Sequence, residues 1–177
     1  MKAQLKQEAD DREAGDLALI WNIGLPRNYL KVSDQPISQF GSSGAGDGQF
    51  QFPCSVTCKS RGEIVVADSE NHRIQVFDRN GKFMFKFGSN GSGSGQFDRP
   101  RSVTVDQRNN QIVVVDTKNH RIQIFDEKGT FLRVYGSNGK GEGQSNYPFG
   151  VVDQQGNYVV TDTNKIAFRF STLKVRL

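Results

Sequence analysis

The sequence predicts an all-β chain, an incomplete β-propeller of four-stranded antiparallel blades. Three observations carry this reading. A long motif recurs in tandem, each complete copy holds four short β-patterned runs, and turn residues punctuate those runs at matching offsets. Phe40 and Phe87 open two complete copies 47 residues apart, and Gly88 and Gly136 lie 48 apart, the extra residue being one of Asn109 and Asn110. A period near 45 in strand-rich sequence is that of a propeller blade. The copies divide the chain into a lead-in over residues 1–39, blades over 40–86 and 87–134, and a degenerate third copy over 135–177.

The second copy shows the strands in order. Ser102–Asp106 alternates Val103 and Val105 with polar residues. Gln111–Val115 is a nearly continuous β-branched run, the pattern of a strand buried on both faces. Arg121–Phe125 places Ile122 and Ile124 either side of Gln123, and Phe131–Tyr135 supplies the fourth strand. Turns fall at Gln107–Asn110, Thr117–His120 and Asp126–Gly129, and four strands per repeat make one blade.

Composition agrees. Hydrophobic residues are 35% of the 177, with 19 glycines and 13 phenylalanines, which suits short strands joined by frequent turns. No stretch has the length of a transmembrane helix. The net charge of +4 is uneven: residues 1–39 carry five Lys/Arg against six Asp/Glu, and residues 40–177 carry eighteen against thirteen. The repeats are therefore the basic part, which permits a polyanionic partner without requiring one. The cysteines, Cys54 and Cys58, stand four apart in one strand. At about 3.3 Å per residue they are roughly 13 Å apart, too far for a disulfide, and no further cysteine is present to complete a zinc site. Two free thiols imply a reducing compartment. The short apolar run Leu17–Ile23 follows Glu8, Asp10, Asp11, Glu13 and Asp16, unlike a secretory signal. A cytoplasmic protein is expected.

The repeated polar residues read first as turn architecture. Asp68 and Asp116 end the second strands, and Arg73 and Arg121 open the third strands five residues later. Such a carboxylate can accept from turn amides and pair with the arginine. His72 and His120 occupy identical positions within these turns, where capping is a commoner role than metal ligation. The Gly-rich segments 41–48, 88–95 and 136–143 recur once per blade and precede no helix. They read as loops between blades, not phosphate-binding loops, and no cofactor is implied.

The strings Ala67-Asp68-Ser69-Glu70-Asn71-His72-Arg73-Ile74-Gln75-Val76-Phe77 and Val115-Asp116-Thr117-Lys118-Asn119-His120-Arg121-Ile122-Gln123-Ile124-Phe125, with Gly-Gln-Phe-x-x-Pro at Gly48–Pro53 and Gly95–Pro100, resemble the NHL repeat over about residues 40–165. The likeness is greatest to the tripartite-motif NHL (TRIM-NHL) proteins, in which a coiled coil precedes the propeller. The resemblance implies a binding module rather than an enzyme. The ligase activity of that family sits in a RING of clustered Cys and His, which this sequence does not contain. Some NHL-like propellers are metal-dependent lyases with histidines converging on the central channel, but both histidines here sit at equivalent turn positions and no Ser/His/Asp or Cys/His set stands outside the repeat. Several members of the group bind RNA on an electropositive top face built from the turns between second and third strands and the segments leading into first strands. Carried onto this sequence, that face offers charge from Arg99, Arg101, Lys118 and Lys165 and flat rings from Tyr147 and Phe149. Single-stranded RNA uses this combination: phosphate attraction plus base stacking. A protein-interaction scaffold is the alternative, since fold does not decide function.

The third copy departs from the pattern. Pro148–Asp153 is one residue shorter than Pro100–Asp106, so side chains beyond the deletion should flip unless a bulge absorbs the slip. Ile166-Ala167 replaces His-Arg, so Asp162 loses its arginine. Ile166, Phe168 and Phe170 still alternate as a third strand, and a fourth has no clear counterpart. Propellers close with four to eight blades, so two and a half leave an open face and strand edges suited to self-association or a protein partner. Such a chain reads as a fragment or part of a larger assembly. In the lead-in, Lys2–Asp16 is charged without a sustained heptad, Leu17–Ile23 can supply a closing strand, and Pro26–Pro36 reads as a linker.

Overall fold

The computed structural model describes residues 39–141, 143–152, 158–162 and 167–170. The readings of the lead-in, of Lys165 and of residues 171–177 fall outside them. Two short strands, β1 (Ser42–Ser43) and β2 (Gln49–Phe50), pair in parallel across the first Gly-rich loop. The first blade follows as β3 (Pro53–Cys58), β4 (Ile64–Asp68), β5 (Arg73–Phe77) and β6 (Phe83–Phe87), hydrogen-bonded in that order. The second blade repeats it with β7 (Pro100–Asp106), β8 (Gln111–Asp116), β9 (Arg121–Phe125) and β10 (Phe131–Tyr135). The third presents β11 (Pro148–Val152), β12 (Tyr158–Asp162) and β13 (Ala167–Phe170). Every pairing within a blade is antiparallel.

Hydrophobic alternation makes the sheets of the first two blades two-faced, and the sides that face each other are buried between them. Val65, Ala67, Ile74 and Val76 of the first blade interlock with Phe97, Val103, Val105, Ile112, Val114 and Phe125 at the second. The Phe87 and Phe125 rings meet at 4.7 Å and Phe97 and Phe125 at 5.5 Å, both tilted, as ring quadrupoles prefer. Val113, Val115, Ile122 and Ile124 form the opposite face of the second blade, the side on which β11 packs against β7 and β8. A β-branched run buried on both faces, such as Ile112–Val115, follows from this stacking.

The register explains the shortened third copy. In the first blade Pro53 pairs with Asp68 and Ser55 with Ala67, leaving Cys54 in a bulge; in the second, Pro100 pairs with Asp116 and Ser102 with Val115, leaving Arg101 in a bulge. In the third, Pro148–Val152 pairs with Asp162–Tyr158 without a break. The missing residue is the bulge itself, so the ladder stays in step, and Phe149 occupies the place of Ser102 instead of Arg101. The bulge at Cys54 also breaks the strict alternation between the two cysteines, both of which are free and exposed.

Candidate nucleic-acid interface

One end of each blade gathers the start of its first strand, the end of its second and the start of its third. Pro53 lies opposite Asp68 and Asp68 opposite Arg73; Pro100, Asp116 and Arg121 repeat this. At the centre is a fully buried carboxylate. Asp68 accepts from the Gln51 amide (2.7 Å), Asn71 Nδ2 (2.9 Å), Arg73 Nε (2.7 Å) and Gln75 Nε2 (3.1 Å). Asp116 accepts from the Asp98 amide (2.8 Å), Asn119 Nδ2 (2.9 Å), Arg121 Nε (2.8 Å) and Gln123 Nε2 (3.2 Å). A buried charge is tolerated only when paired and hydrogen-bonded, and here both conditions hold.

The arginine then reaches the Gly-rich loop. Arg73 donates to the carbonyls of Ala45, Gly46 and Gln49, all at 2.7–2.8 Å, and Arg121 to those of Ser92, Gly93 and Gln96 at 2.6–2.9 Å. The buried Gln75 and Gln123 complete the tether through the Gly48 and Gly95 amides. These loops point their carbonyls at a guanidinium.

The segment leading into each first strand carries one residue in the left-handed region just before its proline: Phe52 at φ 52°, Arg99 at 51° and Tyr147 at 50°. Non-glycine residues there cost roughly 1–2 kcal/mol, and the surrounding bonds impose the conformation. The Asp98 amide is held by Asp116 and the Arg99 amide donates to His72 Nδ1 of the preceding blade at 3.2 Å. The Tyr147 amide likewise donates to His120 Nδ1 at 3.1 Å, with the Tyr147 ring set edge-on to the imidazole at 4.9 Å. Neither histidine belongs to a cluster of metal-ligating side chains among the described residues.

The turn face brings together most of the residues named from sequence, with unequal freedom. Arg99 is paired with Glu70 at 3.0 Å, so much of its charge is already neutralised. Lys118 is exposed on the 3-10 turn Thr117–Asn119, and Arg101 is half-buried in its bulge; neither makes an ion pair among the described residues. Tyr147 is 43% exposed and Phe149 38%. Phe52, 70% exposed, was not among the residues singled out. It stands at the same repeat position as Arg99 and Tyr147, and that pre-proline alignment was the signal for it.

The comparisons with known proteins agree with this geometry. A family model described as a 6-bladed beta-propeller matches residues 54–123. Protein lin-41 of Caenorhabditis elegans is 45% identical over 61 residues, which cover 34% of this chain and 5% of that protein. The human NHL repeat-containing protein 3 is 37% identical over 71 residues, 38% of this chain and 20% of that protein. The blades are of the NHL type. Among solved structures, a putative exported protein from Bacteroides fragilis NCTC 9343 superposes with a TM-score of 0.50 at 19% identity, covering 75% of this chain and 41% of that one. That likeness concerns the fold alone. The chain thus spans a minor part of the length of its NHL relatives, and what it shares with them is the blade. No helix among the described residues is long and apolar enough to cross a membrane.

Proposed function

We propose that these NHL blades bind single-stranded RNA on the turn face. The observation that carries the reading is one side chain per blade projected from the same left-handed position, aromatic at Phe52 and Tyr147 and cationic at Arg99, with Lys118 and Arg101 beside them. Rings of this exposure suit base stacking, at about 1–3 kcal/mol per base, while the cations attract the backbone. The Glu70–Arg99 pair dilutes the positive charge, so stacking is assigned the larger share and affinity is modest. Fluorescence anisotropy of a labelled oligouridine with the full chain tests this. Binding should weaken as salt rises, fall several-fold with Tyr147→Ala, and fall further with Arg101→Glu. No anisotropy change at low salt, or equal loss with a substitution at the far end such as Lys128→Glu, would count against it.

A second reading has its own support. Val56 in β3 is 65% exposed, whereas Val103 at the same repeat position in β7 is 3% exposed beneath the first blade. The β3 face is therefore an apolar sheet surface of the kind blades bury, and a protein partner would suit it. Pull-down partners that survive nuclease treatment and are lost with Val56→Asp would favour this scaffold role.

A further inference from the structure

We infer that His72 and His120 are acid-sensitive latches between successive blades, and that the His120 latch is the one acid releases. In both, a backbone amide of the next blade points at the imidazole: Arg99 N–H at His72 Nδ1 (3.2 Å), Tyr147 N–H at His120 Nδ1 (3.1 Å). An amide nitrogen only donates, so Nδ1 must be the unprotonated acceptor and Nε2 must carry the ring's proton. Protonating the imidazole places N–H against N–H and removes the bond. Histidine is the side chain that makes this change between about pH 5 and 8. The histidines themselves are held in left-handed conformations, at φ 52° and 56°, so each ring is positioned by its turn.

The two latches differ in what surrounds them. At His72, the Asp98 carboxylate of the next blade lies 3.7 Å from Nδ1, so protonation exchanges the amide bond for an ion pair. The other charges nearby are Glu70 and Arg99, paired with each other, and Arg73, committed to Asp68. At His120 the residue in the place of Asp98 is the neutral Asn146. The facing group is the Tyr147 ring, and the charges on the histidine's own turn are the exposed Lys118 and Arg121, the latter committed to Asp116. Among the described residues, no carboxylate pairs with His120 as Asp98 does with His72. Acid should therefore loosen the junction of the second and third blades before that of the first and second.

Amide hydrogen exchange on the full chain, read by NMR as protection factors so that intrinsic pH effects cancel, tests the inference. Between about pH 7.5 and 5.5 the protection of the Tyr147 amide should fall roughly fivefold to tenfold, the worth of one hydrogen bond. The Arg99 amide loses its acceptor as well, so the first junction is read at the Val103 amide, which donates to Ser55 Oγ across it at 3.2 Å and should keep its protection. Asparagine tolerates the left-handed backbone and offers a non-titrating acceptor. His120→Asn should accordingly keep Tyr147 protected at both pH values, whereas His120→Leu should leave it unprotected at both. The inference is overturned if wild-type Tyr147 protection is the same at both pH values, or if His120→Asn loses it in acid as the wild type does. None of these readouts depends on RNA binding, so the latch and the proposed ligand stand or fall separately.

Discussion

Replacing Arg121 by Met probes the polar cluster that builds the turn face. The substitution keeps an unbranched side chain of similar reach and removes four hydrogen bonds: one to Asp116 and three to the carbonyls of Ser92, Gly93 and Gln96. Ser92 and Gly93 are exposed, so their carbonyls regain water and the cost there is small. Asp116 is not so placed. It is fully buried, and without the guanidinium it remains a buried carboxylate with three neutral donors. Breaking one side of a buried pair costs about 3–5 kcal/mol. The three remaining donors soften this, and a loss of about 3 kcal/mol is expected. Urea unfolding followed by circular dichroism measures it through the shift in midpoint at constant slope. Asp116→Asn removes the charge and most of its shape survives, so the double variant Asp116→Asn/Arg121→Met should recover about 1–2 kcal/mol relative to additivity. A loss below about 1 kcal/mol for Arg121→Met, or strict additivity in the double variant, would refute a charge-centred cluster and leave the arginine as a loop tether only.

Three further outcomes follow from the geometry. Gly88→Ala should destabilise by about 2–4 kcal/mol in the same assay, because φ is +96° and the added methyl falls on the buried Phe97 ring and close to the His72 carbonyl. Lys59→Met should cost about 1–2 kcal/mol: this buried lysine donates to the Glu127 carbonyl of the second blade at 2.8 Å and stands near Glu63, clasping the blades at the end opposite the turn face. The Arg108 side chain, by hydrogen-bonding Asp106, holds that carboxyl below its ordinary value. Its contribution is thus complete above about pH 4 and is lost as pH falls below that. Acid titration of Asp106→Asn should show a shallower stability loss below pH 4 than the wild type, and an identical curve would contradict the assignment.

The blade plan was legible because two near-identical copies align strand for strand, and Asp–Arg spacing of five across a short turn reads as facing ends of adjacent strands. Three features were not legible. The bulges at Cys54 and Arg101 became visible only through register, and with them the reason that the third copy tolerates its deletion. Glu70 lies 29 positions from Arg99, so nothing local announces that it neutralises a cation named for the RNA face. The histidines look like surface turn residues until the next blade's backbone is placed against Nδ1, a contact between repeats that no single repeat contains. Phe52 shares the pre-proline position of Arg99 and Tyr147, which the repeat alignment shows, but its 70% exposure is visible only in the structure.

The most direct test of the central claim is chemical-shift mapping of the full chain with a short oligouridine at low salt. The account predicts shifts concentrated at Phe52, Arg99–Arg101, Lys118 and Tyr147–Phe149, with the turns at Ser60–Gly62, Gln107–Asn110 and Asp126–Gly129 at the opposite end unmoved. Shifts confined to that opposite end, or none at any concentration, would contradict it.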